Sequence, residues 1–165
     1  LRRSGKVSTL LGLAAGTISE MSADANIRML LRIDGMTPTD DLVDDIWAFV
    51  GIEDRFRQLP LRSFSSGMRM RLLFSVATRA KADILLLDEW LSVADATFAT
   101  KAEQRLAEFI DQAKILVFAS HNRKVLASLC TRIVVLSAGR IVAIQSPDEF
   151  AAATVSVGTK DSQLI

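Results

Sequence analysis

The chain has 165 residues, half of them apolar, with a formal net charge of +1 and one cysteine. That suits one domain with a sizeable core. It offers no electrostatic case for a dedicated nucleic-acid binder and excludes an intrachain disulfide. No segment reaches the roughly eighteen or more uninterrupted apolar residues of a bilayer span, and Leu1-Arg2-Arg3 is not followed by the long apolar stretch of a signal peptide.

In chain order, a short strand is expected around Val7–Leu11, followed by a loop of small residues. From Ser22 to Gly51 the apolar spacing turns helical, with Ile27, Leu30 and Leu31 on one stripe and Leu42, Ile46, Phe49 and Val50 on a second. Gly35 and Pro38 separate the two, and Asp40 and Asp41 place negative charge at the start of the second helix. Ser65-Ser66-Gly67 opens a further helix expected to reach Ala80. A hydroxyl cap and a bare glycine leave N–H groups and the positive helix end facing outward, which is a site for an anion or simply a capped helix.

From Asp83 the pattern is α/β. Ile84-Leu85-Leu86-Leu87 reads as a fully buried parallel strand that ends in the carboxylates Asp88 and Glu89. In open α/β sheets ligands sit at that edge. A helix near Thr97–Gln112 carries Phe98, Ala102, Leu106 and Phe109/Ile110 as its stripe. The strand Ile115–Ala119 leads to His121, the lone histidine, and a short helix Arg123–Leu129. Ile133–Leu136 and Arg140–Ile144 flank Ala138-Gly139, a tight turn between antiparallel strands. Pro147 suits the first turn of a last helix capped by Ser146, and the tail from Thr154 carries no pattern.

Taken together, Phe64-Ser65-Ser66-Gly67-Met68-Arg69, then Asp83 to Asp95, then Ala119-Ser120-His121-Asn122 resemble ABC transporter ATPase subunits. The likeness runs from about Lys6 to Phe150. Ser-Ser-Gly-Met as signature, Asp-Glu-Trp-Leu-Ser-Val, Ser-Leu-Cys-Thr-Arg at 128–132, and Leu10-Leu11 with Leu13-Ala14-Ala15-Gly16 resemble the group that exports O-antigen, capsule and teichoic acid precursors.

The resemblance implies a P-loop NTPase-like α/β fold, with a helical subdomain over about 22–80, an α/β core over 81–150 and a tail over 151–165. It implies ATP and Mg²⁺ as ligands. Ser65, Ser66, Gly67 and Met68 would meet the γ-phosphate of ATP held by a second subunit. Asp88 would hold Mg²⁺, directly or through water, and Glu89 would orient or activate the attacking water. Asp95 would lie in the loop that crosses the dimer interface, and His121 would sense the γ-phosphate. The implied assembly is a homodimer on a transmembrane permease, with no nucleic acid, peripheral to the cytoplasmic face of the inner membrane.

The sequence departs from the family in three ways. No Gly-x-x-x-x-Gly-Lys-Ser/Thr loop occurs anywhere in it, so the chain corresponds to the domain without its phosphate-loop portion and is expected not to hydrolyse ATP unaided. The family's early Gln is missing: Leu13 or a neighbour stands there, and the first Gln is Gln58. Thr17 and Ile18 replace the group's more usual aromatic and His types. The rival readings are a soluble ABC ATPase acting on ribosomes or DNA, and a binding module without catalysis. Arg62, Arg69, Arg71 and Arg79 near the signature helix form either a phosphate-friendly field or a solvated face with packed stems. Met68, Met70, Leu72, Leu73 and Phe74 read as core or subunit packing, and Cys130 as packing beside Leu129.

Overall fold

A computed structural model describes residues 5–9, 16–88 and 96–156. They fall into two compact units, one from the stretches 1–87 and 91–117, the other from 88–90 and 118–165.

The first unit is built on three helices. α1 (Ala23–Ile33) starts at Ser22, whose hydroxyl accepts from the Ala25 N–H. It stops where Gly35 turns left-handed, at φ +75°. The Gly35 N–H reaches the Arg32 carbonyl at 2.9 Å and the Met36 N–H the Leu31 carbonyl at 2.8 Å. That is the paired bonding of a Schellman stop, and glycine takes the left-handed residue without Cβ strain. α2 (Asp40–Val50) begins at Thr39 and ends at left-handed Gly51. Arg28 joins the two helices, donating to Asp24 at 2.8 Å, to Asp40 at 2.7 Å and to the Pro38 carbonyl at 3.1 Å.

α3 (Ser66–Ala77) packs on both. The shared core holds Ile27, Leu31, Val43, Ile46, Trp47, Val50, Leu61, Leu72, Leu73 and Val76. Val43 and Trp47 widen the stripe expected on α2, because this helix is covered by α1 and α3 together. α3 is shorter than expected, since the Thr78 side chain and N–H both turn back to the Phe74 carbonyl, at 2.9 and 3.0 Å. A hydroxyl bonded four residues back competes with the helix ladder and helps to end it.

A three-stranded sheet has the order β1-β2-β3, from β1 (Val7–Thr9), β2 (Ile84–Asp88) and β3 (Ile115–Ala119), with β1 and β2 parallel. β1 runs beside β2 with Val7 opposite Ile84 and Thr9 opposite Leu86. Asp83 clasps the start of all three strands. It accepts from the Lys6 N–H at 2.9 Å, its other oxygen meets the Lys114 ammonium at 2.7 Å, and its carbonyl accepts from Lys114 and Ile115. β2 is less enclosed than its sequence suggests: Leu85 and Leu87 are buried, but Ile84 and Leu86 only half-buried. α4 (Ala96–Asp111) buries Phe98, Ala102, Leu106 and Phe109, and Phe98 meets Phe49 and Phe74 edge-on at 5.6 and 6.1 Å.

The second unit contains α5 (Arg123–Leu129), the antiparallel pair β4 (Ile133–Ser137) and β5 (Arg140–Gln145), and α6 (Pro147–Ser156). Ala138 and Gly139 both have positive φ, at 47° and 73°, the backbone of a two-residue hairpin turn. Ser146 and Glu149 satisfy each other at the start of α6: the Ser146 N–H donates to the Glu149 carboxylate at 2.8 Å, and the Glu149 N–H to the Ser146 hydroxyl at 3.3 Å. Arg123 lies 3.7 Å from the Phe150 ring centre and donates to the Phe150 carbonyl.

Candidate functional site

The opening of α3 is where the predicted signature residues meet. Ser65 is extended (φ −61°, ψ 162°), and its hydroxyl accepts from the Met68 N–H at 3.2 Å. The Ser66 and Gly67 N–H groups belong to the first turn and have no intrahelical acceptor. Ser65, Ser66 and Gly67 are exposed, while Met68 is half-buried against the helical core. No acidic residue stands in the first turn to oppose an anion.

Among the described residues nothing requires Gly67 to be glycine. A Cβ there would meet nothing nearer than the Ser65 hydroxyl at 4.0 Å. Glycine in a helix costs about 0.5–1 kcal/mol relative to alanine, so its presence suits a close approach from outside.

The loop leading to this helix start is held by Asn26, a fully buried side chain that the sequence reading missed. Its amide oxygen accepts from the Ile18 N–H at 2.8 Å, and its NH₂ donates to the carbonyls of Ile18 (2.9 Å), Met21 (3.2 Å) and Ser22 (3.0 Å). The Leu61 N–H then donates to the Met21 carbonyl and the Arg62 N–H to the Ser19 carbonyl, both at 3.0 Å. The approach to Ser65 is thereby tied to α1.

Each of the four signature-side arginines is engaged within the chain. Arg62 pairs with Glu20 at 3.1 Å, Arg69 donates to the Leu61 carbonyl at 3.3 Å, Arg71 lies 5.4 Å from the Phe98 ring centre, and Arg79 faces Asp45 at 3.9 Å. Burial pulls Arg79 below the usual arginine range, with Arg105 adding to the effect. Of the two readings, packed stems on a solvated face is the one the geometry fits. Met70 is exposed, whereas Leu72, Leu73 and Phe74 are core.

At the sheet, Asp88 is the exposed last residue of β2 and His121 is exposed two residues beyond the end of β3, its neighbour in strand order. Asn122 caps α5 through the Val125 N–H at 3.3 Å, and its own N–H donates to the Ser120 hydroxyl at 3.1 Å. Glu89 and Asp95 lie outside the described residues, as do Leu10-Leu11 and Leu13-Ala14-Ala15. Among the described residues no group of three or more His, Cys, Asp or Glu side chains could hold a metal. One exposed carboxylate nevertheless fits Mg²⁺, a hard cation that commonly takes one or two carboxylates and completes its shell with phosphate oxygens and water.

A groove of about 360 Å³ is lined by Asp44, Trp47, Ala48, Gly51, Ile52, Glu53, Asp54 and Arg57, and includes none of the predicted site residues. Cys130 is half-buried, and burial pushes its thiol above the usual range, which fits packing rather than reactivity. Among the described residues no helix is long and apolar enough to cross a membrane.

Comparison with known proteins adds what the chain is similar to. The chain is 43% identical over 141 residues to the O-antigen export system ATP-binding protein RfbE of Yersinia enterocolitica, an alignment covering 84% of this chain and 59% of that protein. In sequence and fold the chain matches part of an ABC ATPase domain. It is also 40% identical over 128 residues to the teichoic acids export ATP-binding protein TagH of Levilactobacillus brevis, covering 76% of this chain and 35% of the relative. A solved ATP-binding subunit of an ABC transporter matches with a TM-score of 0.70 at 16% identity, over 93% of this chain and 64% of that one. A dimeric ATP-binding cassette bound to ADP and Pi matches with a TM-score of 0.62 at 19% identity, over 86% and 63%. No protein-family model matches the chain. The chain thus spans about three-fifths of the Yersinia relative and about a third of the Levilactobacillus one.

Proposed function

We propose that the chain is the signature-bearing portion of the ATP-binding subunit of an exporter that moves lipid-linked polysaccharide across the cytoplasmic membrane. The relatives named for O-antigen and teichoic acid export support the substrate class. The observation that carries the reading is the opening of α3, an exposed, hydroxyl-capped helix start with an unforced glycine. Such an end offers preorganised N–H groups and the positive dipole end to a phosphate.

Residues 22–80 form the helical subdomain, 81–150 the α/β core and 151–165 the tail. Ser65, Ser66, Gly67 and Met68 face the γ-phosphate of ATP held by a second subunit, so the working form is a homodimer. Asp88 holds Mg²⁺, directly or through water, and the ion supplies charge neutralisation on the phosphates when bound. Glu89 orients or deprotonates the attacking water, His121 senses the γ-phosphate, and Asp95 crosses between subunits. The dimer sits peripherally on the cytoplasmic face of the membrane against a permease.

Catalysis here is positioning plus electrostatics. The 165 residues contain no Gly-x-x-x-x-Gly-Lys-Ser/Thr loop, and on this reading the segment alone does not turn over ATP. The test is Glu89→Gln in the complete protein, with phosphate release and nucleotide-dependent dimerisation both measured. Turnover is expected to fall about 10²–10⁴-fold with ATP binding and dimerisation retained. Wild-type turnover by that variant overturns the assignment of Glu89.

A further inference from the structure

Three polar side chains are buried among the described residues: Asn26, Ser75 and Thr78. The two hydroxyls answer locally, Ser75 donating to the Arg71 carbonyl at 2.6 Å and Thr78 to the Phe74 carbonyl at 2.9 Å, each four residues back. Asn26 instead reaches out of α1 to Ile18, eight residues back, and to Met21 and Ser22, so one side chain fixes the course of residues 18–22. Burying an amide costs free energy unless its bonds are met, and asparagine is a poor residue for a helix interior. What it supplies there is a geometry that an apolar side chain cannot impose.

Segment 19–24 is in turn the template for the lead-in to α3. The Ala23 N–H donates to the Leu59 carbonyl, the Asp24 N–H to the Arg57 carbonyl, the Leu61 N–H to the Met21 carbonyl and the Arg62 N–H to the Ser19 carbonyl, all at 3.0 Å. Ser22 and Pro60 form an antiparallel bridge, and two residues further along each segment Glu20 meets Arg62. From Arg62 only the end of the 3-10 turn Leu61–Ser63 and the buried Phe64 remain before the Ser65 cap. The Phe64 N–H donates to the Leu61 carbonyl at 3.2 Å, and Arg69, in the opening turns of α3, donates to that same carbonyl. The path from the Asn26 amide to the N–H groups of Ser66 and Gly67 thus runs through hydrogen bonds and a buried ring. No glycine lies in residues 18–26 or 57–66 to act as a hinge.

We propose that Asn26 is a positioning residue for the signature. Through segment 18–22 and the lead-in 57–64 it sets where the opening of α3 presents its N–H groups, and ATP turnover depends on it beyond its share of stability. The inference rests on the proposed role of α3 in meeting ATP held by a second subunit. A catalytic constellation tolerates about 0.5 Å of misplacement, and a shift of about 1 Å from a distant substitution costs about 10²-fold. Without the Asn26 amide, three carbonyls and one N–H of the template segment lose their partner, so displacement of that order reaches Ser65. The signature meets ATP only on assembly. The loss therefore falls on assembly and turnover rather than on ATP binding by one subunit.

The test uses the complete protein and compares Asn26→Leu, which keeps the volume, with Val43→Ala, which truncates a fully buried side chain of α2 in the same core. Both are assayed well below their melting temperatures, so turnover is read per folded molecule. Asn26→Leu is expected to lower kcat about 10–100-fold and to weaken nucleotide-driven dimerisation about tenfold, with ATP binding to the monomer within about twofold of wild type. Val43→Ala is expected to melt early through its cavity and yet keep kcat within about twofold. A rescue separates placement from folding. Glu20→Cys with Arg62→Cys puts a disulfide where an exposed ion pair of 3.1 Å now joins the two segments, and keeps Asn26→Leu folded where that substitution alone does not fold. Oxidised, the triple variant is expected to regain most of the turnover of the oxidised double-cysteine protein, and to lose it again on reduction. Equal kcat for Asn26→Leu and Val43→Ala overturns the inference, as does turnover of the triple variant that oxidation leaves unchanged. Wild-type turnover in Gly67→Ala overturns the role of α3 and the inference with it. Turnover lost in Gly67→Ala but kept in Asn26→Leu overturns the inference alone.

Discussion

Replacing Asn26 by leucine keeps the volume of a fully buried side chain and removes four hydrogen bonds: one from the Ile18 N–H and three to the carbonyls of Ile18, Met21 and Ser22. A typical intramolecular hydrogen bond contributes about 0.5–1.5 kcal/mol net, and a buried partner left unsatisfied costs about 1–3 kcal/mol. Ile18 is exposed and Met21 half-buried, so parts of the loop can turn to water and recover some bonds; Ser22 also keeps its bond from the Asn26 N–H. The net loss should therefore be about 2–4 kcal/mol. With a urea m-value of about 1–3 kcal/mol/M, the midpoint falls by roughly 1–2 M at unchanged m.

Asn26→Asp separates hydrogen bonding from packing. Its carboxylate still accepts from the Ile18 N–H but faces three carbonyls with no hydrogen to give. Burial raises its native pKa above the unfolded value near 3.9. The native state then binds more protons, so the variant gains stability relative to wild type as pH falls through the raised pKa towards about 4. Urea titrations from pH 7 to pH 4 measure both effects. A midpoint for Asn26→Leu within about 0.3 M of wild type, or a pH-independent deficit for Asn26→Asp, refutes the clamp.

Three further outcomes follow from the geometry. The Asp83 carboxyl is held below the usual range, first by Lys114 and then by the Lys6 N–H. Its contribution is therefore present above the unfolded pKa of about 3.9 and is lost as pH falls through the lower native value; Asp83→Asn should flatten the acid limb of stability against pH below about 4, read by thermal melting. Gly5 has φ +119° and sits where a Cβ would come within 2.8 Å of the Asp83 Cβ, so Gly5→Ala should destabilise by about 1–3 kcal/mol in chemical denaturation. Gly67→Ala should leave this chain unchanged or stabilise it by up to about 1 kcal/mol and, on the proposed function, lower ATP turnover in the complete protein; loss of stability would show that the glycine serves the fold instead.

What could be read from the sequence follows the range of the interactions. Ser22, Ser65 and Ser146 announced or fitted helix starts because a cap bonds within three residues, and Gly35 announced a stop for the same reason. The stripe of α4 was legible because one side of that helix is buried. Val43 and Trp47 were not, because their burial depends on two helices meeting α2 from different directions. Asn26 gave no local signal, because only the returning loop 18–22 turns it into a clamp. Asp83 likewise resembled a strand lead-in until Lys6 and Lys114, distant in sequence, converged on it. For the candidate site, the helix start at Ser65 and the strand-end places of Asp88 and His121 were legible from local pattern.

The engagement of the four arginines bears on how the signature could grip a phosphate. Were Arg62, Arg69, Arg71 and Arg79 an open cationic field, nucleotide contact would be strongly salt-dependent and the chain alone would attract anions. Instead Glu20, the Leu61 carbonyl, the Phe98 ring and Asp45 engage them in turn. The helix start then contributes neutral N–H groups and a dipole worth about 0.3–1 kcal/mol at an exposed site, too little to hold a nucleotide. Such a surface can complete a phosphate shell whose charge is neutralised elsewhere, but cannot create one. On the proposed reading this division favours assembly: the signature adds its N–H groups only when another subunit presents ATP with its own cations. It predicts no measurable nucleotide binding by the isolated chain at millimolar ATP in calorimetry. Micromolar affinity there would require a phosphate site that the described residues do not contain.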